Sequence, residues 1–336
     1  MKKVIISIVA ALALLVVSVP GAVFALEEGN TSGTFTVQNV APTVDSVALW
    51  TTVETPEAAT SMSPQVEYNV KVGVTDANTL DNLSTITVTI FYDADGTYAF
   101  EDVAAAGSGN VQTAAILTWT NLVTDTWTID AVSGAGTWSI VSANCVVPTI
   151  TETTGTFEFH FIPGKVATET VGTPKWHIYA LADDGTETVG AYQADRTMNW
   201  YGEITINSGT AAFGDVALGC VDEDSTAIST TYISNGNYSE QVKSSTPWTT
   251  SGGSVALNTT YTPGSGEFSL KADDDADTAD YVQVLSASYV DIATDESLTT
   301  ESGDTTANNT LWLSLGSSGI PVGIYTGTVY FQIANR

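Results

Sequence analysis

The chain has 336 residues, in which nine lysines and arginines face 38 aspartates and glutamates for a formal net charge of −29. A surface that acidic cannot neutralise phosphates, which excludes nucleic acid as a partner. Two cysteines, Cys145 and Cys220, are too few for a disulfide framework in a chain this long, so its stability must come from buried apolar cores; one bridge between the two is the only candidate disulfide.

The N-terminus reads as an address. Lys2 and Lys3 precede an apolar run over 4–17, which ends at Ser18, Val19, Pro20 and Gly21, the layout of a signal peptide. Val23 and Ala25 suit a signal peptidase, so cleavage is expected after Ala25, leaving Leu26 first. The run falls short of the ~20 apolar residues that span a bilayer. No later stretch is longer, so the expectation is an exported, extracellular or cell-surface protein with no integral span after cleavage. Loss of the two lysines leaves seven basic residues against 38 acidic ones, a net −31, and repulsion at that charge must be offset by salt, cations or glycan.

Residues 26–40 are expected to be an arm or a first strand. Thr34, Phe35, Thr36 and Val37 alternate ahead of Ala41 and Pro42, a pattern that either starts the chain's own sheet or adds to a neighbour's sheet edge. From there, period-two alternation recurs while helical spacing is almost absent, which makes the chain all-β. Val66, Tyr68, Val70, Val72 and Val74 share one face of a strand. Ile86, Val88 and Ile90 share one face of the next, with Thr85, Thr87 and Thr89 opposite. Further strands carry Phe157, Phe159 and Phe161, and then Trp176, Ile178 and Ala180, the last running into a turn at Asp183, Asp184 and Gly185.

These residues carry a resemblance. The phrase Asn39, Val40, Ala41, Pro42, Thr43, Val44, the strand ending at Val74, Thr75 and Asp76, and Trp176, Ile178 and Tyr179 followed by Ala182, Asp183, Asp184 and Gly185 resemble immunoglobulin-like β-sandwich domains of secreted bacterial or archaeal cell-surface proteins. The resemblance covers roughly half of the chain, from Thr34 to about Arg196, and implies a sandwich with Trp176 in its core. It departs from the pattern near 99–150, an insertion holding Trp119, Trp127 and Trp138. The domains expected are therefore an immunoglobulin-like sandwich over 41–198 and a second one over 199–336, in tandem. In the second, Glu203, Ile204, Thr205 and Ile206 form the first strand and 282–285, 311–315 and 329–333 form others. The phrase Tyr232, Ile233, Ser234, Asn235, Gly236, Asn237 resembles a strand and turn of secreted filament and surface-layer proteins.

Among candidate sites, Asp273, Asp275, Asp277 and Asp280, with Asp274 between them, crowd hard oxygen ligands as calcium requires. The opposing reading is a solvated acidic loop. Asp222, Glu223 and Asp224 form a second group. Sequons begin at Asn30, Asn82, Asn237, Asn258 and Asn308, candidates for glycosylation. No catalytic constellation emerges. His160 and His177 are read as exposed strand residues, no nucleophile elbow or zinc spacing accompanies them, and no cofactor beyond calcium suggests itself. The tryptophans of the insertion alternate with threonines and cannot be assigned a face; facing solvent they would stack on sugars, facing inward they would fill a core.

The expected function is that of a secreted, non-enzymatic surface-layer, filament or adhesin-type component that assembles with other surface proteins or copies of itself. A calcium-assisted carbohydrate-binding protein is the alternative, and an extracellular hydrolase the least supported.

Overall fold

A computed structural model describes residues 32–53, 61–93, 111–131, 137–173, 175–277 and 280–336. The leader and Asn30 lie outside them. Met1–Gln38 and Asn39–Arg336 are separate compact units. Residues 32–42 carry no strand, and β1 begins only at Thr43. Among the described residues no helix is long and apolar enough to cross a membrane, and the one helical element is a single turn, Leu80–Asn82.

The alternating segments form sheets because each can bury one face only against another sheet. The first half contributes β1 (Thr43–Thr51), β2 (Ser61–Met62), β3 (Tyr68–Thr75), β4 (Thr85–Asp93), β5 (Val111–Thr120), β6 (Thr126–Ala131), β7 (Ser139–Ile140), β8 (Thr154–Ile162), β9 (Trp176–Asp183) and β10 (Thr188–Met198). They make a four-stranded sheet in the order β1-β3-β8-β7 and a six-stranded sheet in the order β2-β10-β9-β4-β5-β6. Residues 111–131, set apart in the sequence as an insertion, are thus two strands of the larger sheet.

One core lies between these sheets. Phe157, Phe159 and Phe161 of β8 project into it, and each meets a tryptophan, Trp119 and Trp127 from the opposite sheet and Trp138 from the segment leading into β7 beside β8. Trp119 lies 4.7 Å from Phe157, Trp127 meets Phe159 edge-on at 4.9 Å, and Trp138 stacks on Phe161 at 6.1 Å. Trp138 also lies 5.8 Å from Trp176. The three tryptophans therefore face inward, and Trp119 and Trp176 are buried as completely as the phenylalanines.

The second half contributes β11 (Gly202–Ile206), β12 (Glu223–Asp224), β13 (Ile228–Ser234), β14 (Tyr238–Ser244), β15 (Trp248–Thr250), β16 (Gly253–Leu257), β17 (Glu267–Asp273), β18 (Val282–Gln283), β19 (Val290–Glu296), β20 (Asp304–Leu315) and β21 (Val329–Asn335). Eight of them build a sheet along β11-β13-β20-β17-β16-β15, with β12 on β20 and β18 on β17, and the rest order as β19-β14-β21. A second apolar cluster, including Val242, Trp248, Phe268, Leu270 and Leu311, lies within this half.

The halves join through a buried amide and charged side chains. Asn235, with no exposed surface, donates through Nδ2 to the carbonyls of Ala167 (2.7 Å) and Asn199 (2.9 Å) and accepts at Oδ1 from the Tyr201 N–H (2.6 Å). Its own carbonyl accepts from the Glu169 N–H (2.8 Å). Lys165 pairs with Glu203 at 2.7 Å, and the Thr137 hydroxyl donates to Glu301 at 2.7 Å. A Cβ on Gly236 would run into the Glu169 side chain and displace it.

Truncating Asn235 orphans two carbonyls and an N–H, each costing about 1–3 kcal/mol when buried. Asn235→Ala is therefore expected to lower stability by several kcal/mol in urea unfolding, and to speed proteolysis around 199–201 in the folded protein. An unchanged midpoint and cleavage rate would show that the halves are not held this way.

Candidate functional site

Chemistry concentrates between the sheets of the second half, where the apolar core gives way to polar side chains. On β14, alternation turns Tyr238, Glu240, Val242 and Ser244 inward. Glu240 is 3% exposed. Its Oε1 accepts from the Thr306 hydroxyl of β20 at 2.9 Å, while its Oε2 is buried without a hydrogen bond. The rings of Tyr232 of β13 and Tyr238 lie 6.0 Å apart beside it, tilted to one another, and both buried hydroxyls lack an aligned hydrogen-bond partner. Asn309, 1% exposed, donates to the Ile228 carbonyl and the Thr230 hydroxyl but leaves Oδ1 orphaned.

Burial pushes the Glu240 carboxyl up to about 7; the hydrogen bond from Thr306 and the closeness of the Tyr232 phenol partly counter it, and the charges of Asp274 and Glu296 add to it. Burial, and then the Glu240 charge, raise both tyrosines well above the ordinary phenol range. A second raised carboxyl is Asp273, 4% exposed at the end of β17. Burial and the neighbouring Asp274 and Asp280 raise it, and its Oδ2 is orphaned. These groups form a store of protons on a chain otherwise rich in ionised carboxylates.

The four candidate calcium ligands are divided by this geometry. Asp273 and Asp280 come together, whereas Asp275 and Asp277 are exposed, and Asp275 accepts from the Asp277 N–H within a turn. Among the described residues no three acidic, histidine or cysteine side chains converge as a metal would require. Asp222 is committed to Lys271 at 2.7 Å, an ammonium further enclosed by the Tyr281 ring at 4.1 Å and the Tyr261 ring at 5.2 Å. Glu223 and Asp224 are exposed on β12.

Cys145 and Cys220 are free thiols, one in each half, so the candidate bridge is not formed. Burial pushes Cys145 up to about 11. Asn82, Asn237 and Asn308 are exposed, although the Asn82 Nδ2 already donates to Asn39. Asn258 is half-buried, with its Nδ2 donating to Glu267 at 2.6 Å.

The histidines are a correction. His160 is half-buried and pairs with Glu67 at 2.8 Å. His177, expected on an exposed face, is 3% exposed because β9 is an inner strand of its sheet and the ring packs on Phe91 at 5.3 Å. Burial lowers its pKa against the pull of Asp93 and Asp195, so it is held neutral. Alternation alone counts two faces but cannot say that both are covered.

Sequence reasoning missed Glu240, whose one signal was a carboxylate in the inward register of a strand between Tyr238 and Val242. No protein-family model matches the sequence, and no curated protein matches it. Among solved structures, the serine-rich repeat adhesion glycoprotein Srr1 of Streptococcus agalactiae aligns over 86% of this chain and 91% of its own at 9% identity, with a TM-score of 0.17.

The buried acids make stability fall as pH rises. Below about 4.5 the Glu240 carboxyl is neutral in both folded and unfolded chains, and no penalty applies. Between 4.5 and about 7 the unfolded chain loses the proton that the folded one keeps, and above 7 the whole penalty stands. Glu240→Gln is expected to match the parent near pH 4.5 and to exceed it by about 1–3 kcal/mol at pH 8. Equal gains at both values, read from denaturant midpoints, would refute the assignment.

Proposed function

We propose that this protein is an exported, non-enzymatic structural component of a cell surface, built from two tandem immunoglobulin-like sandwiches, that acts by protein–protein assembly without a required cofactor. The observation that carries this reading is how the large side chains are used. Of eight tryptophans, Trp119, Trp138, Trp176, Trp248 and Trp312 are buried, while Trp50, Trp127 and Trp200 are half-covered. None offers the exposed flat ring that stacks on a sugar, which takes the tryptophan platform away from the carbohydrate-binding alternative. The reactive groups are spoken for in the same way, because His177, Lys271 and Cys145 are consumed by packing, ion pairing or burial. A junction held by the buried Asn235 side chain and the Lys165–Glu203 pair suits a part that must keep one shape under load.

Export fits the leader, the sequons and a charge that salt, cations or glycan would offset. Calcium enters as a modulator of charge repulsion between copies rather than as a ligand of one preformed site.

Chain beginning at Leu26 is expected to form oligomers, filaments or sheets in light scattering and electron microscopy, with larger species in millimolar calcium than in EDTA. A monomer in both conditions that instead binds members of a glycan array would overturn the structural reading in favour of sugar recognition.

A further inference from the structure

An edge strand presents a row of backbone N–H and C=O groups that a further strand can take up, and folded proteins blunt such edges with charge, proline, bulges or brevity. Most edge strands of this chain are blunted in one of these ways. β1 carries Asp45 and a bulge between Val44 and Ser46, and its Leu49 N–H donates to the Gln193 side chain at 2.8 Å. β6 holds Asp130 and β11 holds Glu203. β19 holds Asp291, Asp295 and Glu296 and pairs irregularly with β14. β2, β7, β12, β15 and β18 are two or three residues long.

β21 is the exception. Its seven residues, Val329–Asn335, include no charge and no proline, and they pair with β14 in unbroken register from Ser244 opposite Val329 to Tyr238 opposite Asn335. Among the described residues no strand takes its other side. Ile333 reaches Gly202 of β11, but β11 pairs with β13 in the other sheet.

The faces of β21 are as unfinished as its edge. Pairing with the buried Val242 and Glu240 turns Phe331 and Ile333 toward the core, yet both remain only half-buried, with no strand flanking them on the open side. Tyr330, 42% exposed, faces the other way with Gln332 and Ala334. There the Lys243 ammonium lies 5.3 Å from the Tyr330 ring, and Gln332 donates to the Gln241 side chain.

We propose that β21 pairs antiparallel with β21 of a second copy about a two-fold axis at Gln332, joining two three-stranded sheets into one of six strands. Charge and register select this occupant. Copies at −29 repel each other, and among the described edge strands longer than three residues only β21 can meet itself without bringing carboxylates together. The register that pairs all seven residues is the one centred on Gln332. It sets Phe331 opposite Ile333 of the second copy on the core-facing side and Tyr330 opposite Ala334 on the other. Cross-strand pairs of aromatic and aliphatic side chains are what stabilise a sheet. Because one surface is used twice, the contact is isologous and closes as a dimer. Seven residues a side make a small contact, so the dimer forms reversibly. This inference rests on the assembly reading above and supplies one surface through which it operates.

The test uses the chain beginning at Leu26, with circular dichroism and melting to show that each variant is folded. Tyr330→Glu with Ala334→Glu sets carboxylates opposite one another at both symmetry-related positions, whereas Tyr330→Lys with Ala334→Glu sets an ammonium opposite a carboxylate there. Light scattering of the parent is expected to show a concentration-dependent dimer, the first variant a self-affinity weakened at least about tenfold, and the second a recovered one. Gln332→Cys, which leaves the apolar pairs intact, should give a disulfide-linked dimer on mild oxidation beyond any formed by Cys145 and Cys220. A first variant that dimerises like the parent, a second that does not recover, or no new cross-link would overturn this pairing while leaving assembly itself standing. A parent chain that stays monomeric at every concentration would overturn both.

Discussion

The alternation of Phe157, Phe159 and Phe161 along one strand is the constraint on which the first half of the structure depends. A strand sends every second side chain the same way, so three large rings must leave β8 on one face and cannot be left in water. Their partners come from three separate places, Trp119 on β5, Trp127 on β6 and Trp138 ahead of β7. Each aromatic pair contributes about 0.5–1.5 kcal/mol beyond its buried area. The ladder therefore draws β5 and β6 onto the sheet and fixes the distance at which the two sheets pack.

The second half solves the same problem less completely. Its apolar cluster around Trp248, Phe268 and Leu311 fills one region, while Glu240, Tyr232, Tyr238 and Asn309 occupy another with orphaned polar atoms. A buried carboxylate without a cation is costly, and the protein avoids that cost by keeping the proton. The tension is local in origin but acts in a chain whose whole surface is acidic, so rising pH loads the interior and the exterior of this half together.

Charge also organises what lies outside. The basic side chains with ion-pair partners in the described residues, Lys71, Lys165 and Lys271, are used within the molecule.

Much of this was legible before any fold was known. Period-two runs at Tyr68, Val70, Val72 and Val74, and at Ile86, Val88 and Ile90, specify strands and their buried faces because neighbouring residues suffice to set them. The acidity and its consequences for partners needed only composition. Which way Trp119 and Trp127 point was not legible, since a tryptophan between threonines fits either face until a second sheet arrives to cover one. The same holds for His177, buried because its strand is internal, and for Glu240, whose pKa is raised by burial and then by the charges of Asp274 and Glu296, all set by parts of the chain far away in sequence. Local pattern decides which residues alternate; only the pairing of sheets decides which face loses its water, and burial is what turns a side chain into core or proton store.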